Sequence, residues 1–226
     1  MILDPYTWYT ATIVQIIRES RHAVSVLLHL DMPYTFSPGQ HAVIRVSPHP
    51  GSSVVRQYSF SSTQENGLWL TIVKTPDGVV SSWFVDQAVV GDSIKISQPF
   101  TGPLIDATSL DDTPICLIAG GSGIAPIMSI LRSRRSKNVF ETTLVYSTRT
   151  DERCFADELS PQKNEIIHLR DTSQTSRITK NEIEEWCTNS QHIYICGSRQ
   201  FVDTIRDYIK KTHPSAAVHC EAFSIV

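Results

Sequence analysis

The pattern of strand and helix signals changes once along this chain, at Phe100, and this change constrains the fold strongly. Before Phe100, short β-type runs are separated by turn residues such as "SPGQ" and "QENG", which is typical of a small antiparallel barrel or sandwich. After Phe100, apolar strands alternate with helices, which is typical of a parallel sheet built from βα units. The two patterns together predict two domains.

The first half is predicted to hold six strands around a single helix, and the second half an α/β unit. The predicted strands of the first half are 10–17, 23–31, 41–47, 54–62, 68–75 and 93–100, and its helix is 79–87. The predicted strands of the second half are 115–119, 142–147, 165–169, 192–196 and 217–223, with helices 124–135, 181–187 and 200–211 and a further candidate helix at 154–159. The turn-rich segment 101–114 is predicted to link a six-stranded antiparallel β-barrel domain at 1–104 to a parallel-sheet α/β domain at 105–226.

Charge gives no indication of a nucleic-acid partner. Twenty basic against 23 acidic side chains give a formal net charge of −3, and one basic run, "RSRRSK" (132–137), stands out. This run falls at the end of a predicted helix, where cations are favourable, so a solvated helix end is the preferred interpretation.

The five cysteines and the apolar segments point to a reducing compartment without membrane insertion. The cysteine count is odd and no CxxC pair occurs, so we expect no disulfide framework, zinc site or iron–sulfur cluster, and a cytoplasmic location. No charged segment precedes an apolar core at the start, so no signal peptide is expected. Residues 113–131 are uncharged, but their clustered glycines and prolines predict a strand, a turn and a helix.

The stretch "VVRQYSFSS" (54–62) combines a strand composition with polar side chains. Arg56 and Tyr58, two residues apart, point to the same face of such a strand, and Ser59 follows directly. A cation and an aromatic ring side by side indicate a ligand that has an anionic part and a flat part.

The stretch "LIAGGSGIAP" (117–126) predicts an anion site. A strand ends in glycines and a helix begins, so unpaired backbone N–H groups and the helix dipole converge, which suits a phosphate or pyrophosphate. Pro126 stands where a third glycine would complete G-x-G-x-x-G, and no Gly-Lys-Ser/Thr follows. A glycine turn that only reverses the chain is the alternative.

Two further segments at the start of a helix or the end of a strand have both a ligand-binding and a purely structural interpretation. In "DGVVSSWF" (77–84), the helix start could present a second anion site, although serines there are more often plain caps. In "IYICGSRQF" (193–201), Cys196 ends a strand of the predicted parallel sheet, where ligands bind, but a buried inert cysteine is the alternative.

In this order and spacing, "RQYS", "GVVS", "GGSGIAP", "CGS" and a terminal "EAF" resemble the ferredoxin–NADP reductase superfamily. The resemblance runs over nearly the whole chain and implies a flavin-binding barrel followed by a pyridine-nucleotide domain. Ser198 replaces the proline that usually follows Cys-Gly in that family, and two residues follow Ser224, which resembles the bacterial-type branches.

The resemblance implies roles for the barrel residues. Arg56 would pair with the flavin pyrophosphate, Tyr58 would lie along the isoalloxazine ring, and Ser59 would lie near the reactive N5. FAD is expected rather than FMN, because "GVVSS" lacks the arginine typical of the FMN branch. The barrel residues predicted to bind cofactor are Arg56, Tyr58, Ser59, Phe60, Lys74, Gly78, Val79, Val80 and Ser81.

The resemblance also implies roles in the second domain. Cys196 would lie near the nicotinamide carbon that gives up hydride. Glu221 would lie near the same place and Phe223 would cover the flavin, with a solvated charge and a core aromatic as the open alternatives. Ser59, Cys196 and Glu221 are the predicted catalytic residues, with no metal. The predicted nucleotide-binding residues are Gly120, Gly121, Ser122, Gly123, Pro126, Thr148, Arg149, Cys196, Gly197 and Phe223.

The nucleotide choice is predicted from "VYSTRTDERCF" (145–155). A hydroxyl at Thr148 beside Arg149 suits a 2′-phosphate, with Arg153 able to assist, so NADPH is favoured over NADH. Surface arginines without a ligand are the alternative.

The implied activity is hydride transfer from NAD(P)H to bound FAD and passage of electrons to a separate acceptor. The sequence does not identify the electron acceptor: ferredoxin, flavodoxin, a haem protein, an oxygenase or a small molecule all fit. A relay subunit of a larger redox complex and a non-catalytic nucleotide sensor are the rival hypotheses, and the oligomeric state stays open.

Overall fold

The computed structural model describes residues 6–104, 113–137, 141–175 and 177–223. They form two sheets, one antiparallel with six strands and one parallel with five. The prediction of a barrel domain followed by an α/β domain is confirmed.

The first sheet closes into a barrel. Its strands run in the order β4-β3-β6-β1-β2-β5, and a bridge between Phe60 and Leu70 joins the two edge strands just beyond the end of β4. Helix α1 covers one end, and its Val80 and Phe84 are buried in the barrel core. The elements are β1 Trp8–Ser20, β2 Ala23–His29, β3 His41–Val46, β4 Val54–Ser59, β5 Leu68–Val73, α1 Val79–Asp86 and β6 Ser93–Ser97.

The second sheet has the strand order β11-β10-β7-β8-β9, with all neighbours parallel. The chain passes from β7 outward to β9 and then returns to the other side of β7, so strand order reverses between β7 and β10. Open α/β sheets bind ligands at the carboxyl ends of the strands beside such a reversal. The elements are β7 Ile115–Gly120, α2 Ile124–Lys137, β8 Thr142–Thr148, β9 Glu165–Asp171, α3 Lys180–Trp186, β10 His192–Ser198, α4 Arg199–Thr212 and β11 Ala217–Phe223.

Helix α2 attaches the second domain to the barrel. The Arg132 guanidinium donates to the Ser61 carbonyl, pairs with Glu158 and stacks on the Phe155 ring at 4.8 Å. The Gly39 N–H donates to the Ser129 hydroxyl at 3.0 Å. These contacts fix the orientation of α2, and of the glycine turn before it, against the barrel.

Two local predictions are wrong. Residues 154–159 contain only a single 3₁₀ turn, because Phe155 adopts a left-handed conformation (φ 60°) and its N–H donates to the Glu19 carboxylate in the barrel. The basic run is not a solvated helix end either: Arg134 is 3% exposed and donates to Thr142, and Arg135 pairs with Glu165. Tertiary contacts decided both outcomes.

Residues 113–131 form the predicted strand, turn and helix start. Across the part of the chain that the structure describes, every helix is too short or too polar to cross a membrane.

Candidate active site

Strand β4 carries Arg56 and Tyr58 toward helix α1. Arg56 is exposed, and its Nη1 donates to the neighbouring Val55 carbonyl. The Tyr58 ring is half-buried and meets the Phe84 ring of α1 edge-on at 5.9 Å, so the two predicted flavin motifs adjoin each other. Burial raises the pKa of the Tyr58 phenol, which therefore stays neutral. Arg56 is free to meet an anion, because it has no ion pair with any described residue.

The start of α1 is a tight turn around Gly78, where a side chain would displace the neighbouring hydroxyl groups. A Cβ on Gly78 would lie 2.1 Å from Thr75 Oγ1 and 2.4 Å from Ser81 Oγ. The Ser81 hydroxyl donates to the Gly78 carbonyl and accepts from the Thr75 N–H, so it stabilises the turn before the helix but caps no helical N–H. The first-turn N–H groups of Val79, Val80 and Ser81 have no acceptor within the helix, which suits an anion.

Two other predicted barrel residues are engaged within the protein. The Phe60 side chain is fully buried and packs on Phe36 at 4.4 Å, so a contact with a cofactor is limited to its backbone. Lys74 Nζ lies 2.5 Å from an Asp86 carboxylate oxygen, which compensates its charge.

The glycine turn between β7 and α2 packs directly on the end of β10. A Cβ on Gly123 would lie 2.2 Å from the Cys196 carbonyl oxygen, so no other residue fits. Gly121 adopts a left-handed conformation with φ 53°. Pro126 lies in the first turn of α2, where it removes no helical hydrogen bond.

The Phe201 ring accounts for two further glycines. Sequence reasoning did not identify this residue. A Cβ on Gly120 or on Gly197 would lie 2.8 Å from Phe201 Cδ1. The ring of this α4 residue therefore needs both glycines in order to pack between the ends of β7 and β10. An aromatic residue shortly after a strand-ending glycine was the available signal.

Cys196 and Glu221 are paired across β10 and β11. Cys196 is fully buried, and burial, followed by the nearby Glu221 charge, raises the pKa of its thiol. A neutral thiol positions a substrate rather than attacking it. Phe223, two residues beyond Glu221, is partly buried against the domain core.

A histidine that sequence reasoning missed lies between the domains beside these residues. His41 pairs with Ser59 across β3 and β4, so both side chains leave the sheet on one face. A Cβ on Gly102 would lie 3.7 Å from His41 Nδ1 and 3.2 Å from Glu221 Oε2. Both polar atoms are buried and have no hydrogen-bond partner among the described residues.

This environment disfavours the charged form of both groups. Burial lowers the pKa of His41 and raises the pKa of Glu221 to about 7. A carboxyl group that titrates near pH 7 can hold or release a proton under working conditions. The only signal in the sequence was a histidine at the start of a strand.

Thr148 ends β8 and Arg149 follows it directly, but Arg149 is not a free cation. Its guanidinium lies 3.1 Å from Asp151 and 3.6 Å from Glu152. Thr148 is buried, and its carbonyl accepts from Thr172 N–H at 3.0 Å.

Family models match both domains. The oxidoreductase FAD-binding domain matches residues 10–103, and the oxidoreductase NAD-binding domain matches residues 117–207. The chain belongs to the ferredoxin–NADP reductase superfamily. The family predicted from the five motifs is therefore confirmed, and so is the predicted pair of an FAD-binding and a nicotinamide-nucleotide-binding domain.

Individual relatives agree with this assignment. The ferredoxin reductase component of 3-ketosteroid-9-alpha-monooxygenase from Mycobacterium tuberculosis is 31% identical over 202 residues, which cover 83% of this chain and 55% of that protein. The chain thus spans about half the length of the curated relatives that it matches.

Solved structures share the fold. Phthalate dioxygenase reductase superposes with a TM-score of 0.77 at 26% identity, covering 96% of this chain and 68% of that one. A ferredoxin NADP+ reductase from Neisseria gonorrhoeae, with FAD and NADP bound, superposes with a TM-score of 0.80 at 20% identity, covering 95% of this chain and 98% of that one.

Proposed function

We propose that the protein is an FAD-dependent NAD(P)H oxidoreductase that passes electrons to a separate acceptor. The observation that carries the proposal lies between the domains, where His41 on the barrel and Glu221 on the parallel sheet both approach Gly102. In the strand registers, Ser59 pairs with His41 and Cys196 pairs with Glu221. Bound FAD would supply the hydride and electron chemistry, and the protein would supply orientation, charge and exclusion of water.

In the proposed flavin site, the pyrophosphate charge is shared by Arg56 and the amides of Val79, Val80 and Ser81. These amides follow Gly78, whose own N–H donates to the Thr75 carbonyl. Their fit rests on the uncapped helix start and on the exposed guanidinium. Tyr58 lies along the ring system, Ser59 orients its hydroxyl toward the reactive nitrogen, and Phe223 covers the other face. Phe60 contributes backbone contacts. Lys74 contributes a cation that is already paired with Asp86.

In the proposed nucleotide site, the turn formed by Gly120, Gly121, Ser122 and Gly123, with Pro126 behind it, binds the phosphates. Its place beside the reversal of strand order supports this. Cys196 and Gly197 position the nicotinamide, and Glu221 exchanges a proton at the cleft. The proposed domains are 1–104 for FAD and 105–226 for the nucleotide.

The acceptor is proposed to be a protein. The relatives include reductase and electron-transfer components of mono- and dioxygenases, which favours an oxygenase or a ferredoxin over the other candidates, namely a flavodoxin, a haem protein or a small molecule. We also propose a cytoplasmic location, because all five cysteines are unpaired.

The rival functions are a relay subunit and a nucleotide sensor. A sensor needs no hydride geometry, so the retention of Tyr58, Ser59, Cys196 and Glu221 favours the reductase. The deciding experiment is to reconstitute the purified chain with FAD and add NADH or NADPH without oxygen. We expect the flavin absorbance to bleach and ferricyanide to be reduced catalytically. A folded protein that takes up no FAD, or that binds it and is reduced by neither nucleotide, would refute the reductase.

A further inference from the structure

Asp171 ends β9 at the sheet edge that carries the glycine turn. In the strand registers, Gly120 pairs with Ser147 of β8, and Thr148 of β8 pairs with Asp171. With neighbouring strands 4.7–4.9 Å apart, Asp171 lies roughly 10 Å across the edge from Gly120. The nicotinamide side of the proposed site is Cys196 on β10, so the adenosine half extends the opposite way, over β8 toward Asp171.

The Asp171 carboxylate is held in a fixed position. Oδ1 accepts from the Ser173 N–H at 2.8 Å and from the Ser173 hydroxyl at 2.6 Å, and Oδ2 accepts from the Thr150 hydroxyl at 2.5 Å. A carboxylate has about four acceptor positions, and three of them are taken by these hydrogen bonds. At Oδ2, an outside donor has to compete only with the weak approach of the Thr150 N–H. The same hydrogen bonds hold the pKa of Asp171 well below its usual range, so it stays ionised at neutral pH.

Arg149, which the sequence assigned to a 2′-phosphate, already forms ion pairs within the chain. Arg149 lies between Asp151 and Glu152, at 3.1 Å and 3.6 Å. The neighbouring Arg153 supplies one more cation. Residues 149–153 and Asp171 together carry three carboxylates and two guanidinium groups.

We propose that Asp171 accepts a hydrogen bond from the 2′-hydroxyl of the adenosine ribose and makes this chain select NADH over NADPH. This rests on the proposed function. A ribose hydroxyl can fill the remaining acceptor position on Oδ2, whereas a 2′-phosphate would bring a second anion against a carboxylate that stays charged. The preference is opposite to the one predicted from Thr148 and Arg149.

The test uses the full chain reconstituted with FAD. Adenosine 5′-monophosphate and adenosine 2′,5′-bisphosphate are titrated by calorimetry, which requires no hydride transfer, and kcat/KM is measured for NADH and NADPH with ferricyanide. We expect the wild type to prefer the monophosphate, and to prefer NADH at least about tenfold, the size of a hydrogen bond to a charged group. Asp171→Asn should reduce both preferences by a similar factor.

One variant serves as the control. Glu184→Gln removes one exposed charge from α3 of the same domain and should leave both ratios within about threefold.

The proposal would be overturned if the wild type prefers the bisphosphate and NADPH, or if Asp171→Asn changes neither ratio. Bleaching by NADPH in preference to NADH would overturn the selectivity alone and leave the reductase standing. Bleaching by neither nucleotide would overturn both.

Discussion

Gly123 lies so close to the Cys196 carbonyl that a side chain at this position would start 2.2 Å from that oxygen. The contact fixes the glycine turn of α2 to the end of β10, which are the two parts of the proposed nucleotide site. Packing of this turn against β10 therefore requires glycine at position 123, whatever the turn binds.

Gly123→Ala should destabilise the protein. The added methyl group must displace either β10 or the turn, and overpacking of this kind costs about 1–3 kcal/mol. Chemical denaturation measures the free energy of unfolding, with Ser122→Ala as the control in the same turn. An alanine variant as stable as the wild type would show that the turn relaxes freely.

Glu221 should make stability depend on pH. Because its pKa is about 7 in the native state against 4.5 as the ordinary value, the native state binds more protons than the unfolded state between these pH values. The free energy of unfolding should therefore fall as pH rises from about 4.5 to 7, by on the order of 3 kcal/mol. Chemical denaturation of the wild type and of Glu221→Gln at pH 5 and pH 8 measures this decrease in the free energy of unfolding. Glu221→Gln should lack this decrease, and an equal decrease in both proteins would assign it to other groups.

His41 should contribute with the opposite sign. Its pKa is lowered in the native state, so the unfolded state binds more protons in the range below pH 6.5. This contribution raises the free energy of unfolding as pH increases through that range. We expect His41→Gln to be less sensitive than the wild type to acidification from pH 7 to 5, with His29→Gln, an exposed histidine, as the control. Equal acid sensitivity of wild type and His41→Gln would contradict this.

Arg132 should matter more than an exposed arginine of the same domain. Its side chain is 18% exposed, pairs with Glu158 and stacks on the Phe155 ring in its own domain, and donates to the Ser61 carbonyl across the domain interface. Arg132→Ala should lower the free energy of unfolding by about 2 kcal/mol, since it leaves partly buried partners unsatisfied. Arg206→Ala, which breaks a half-exposed pair with Asp203, should cost less than about 1 kcal/mol. Calorimetric melting compares the two, and equal losses would mean that Arg132 does not hold the domains together.

Arg56→Ala should weaken FAD binding. Loss of a charge-assisted contact to the pyrophosphate should raise the FAD dissociation constant by about tenfold or more, with partial recovery in Arg56→Lys. Flavin fluorescence during reconstitution measures this. Lys95→Ala removes an exposed barrel cation that donates to Thr10 and should have little effect. A similar loss in both alanine variants would indicate a general charge effect instead of a specific contact.

The elements of the fold were largely predictable because their signals are local. Alternating apolar residues, turn residues and strand-ending glycines act over two to four positions, and they located all eleven strands to within a few residues. The failure at 154–159 had a distant cause, since Glu19 in the barrel captures the Phe155 N–H.

The site was only partly predictable for the same physical reason. The sequence alone determined which short segments carry chemistry: "RQYS", "GVVS", "GGSGIAP", "CGS" and "EAF", in that order. Only the tertiary structure brought His41 to Glu221, Phe201 to Gly120 and Asp171 to the end of β8. Those neighbours depend on strand order and domain packing between residues far apart in the chain, and no local pattern carries that information.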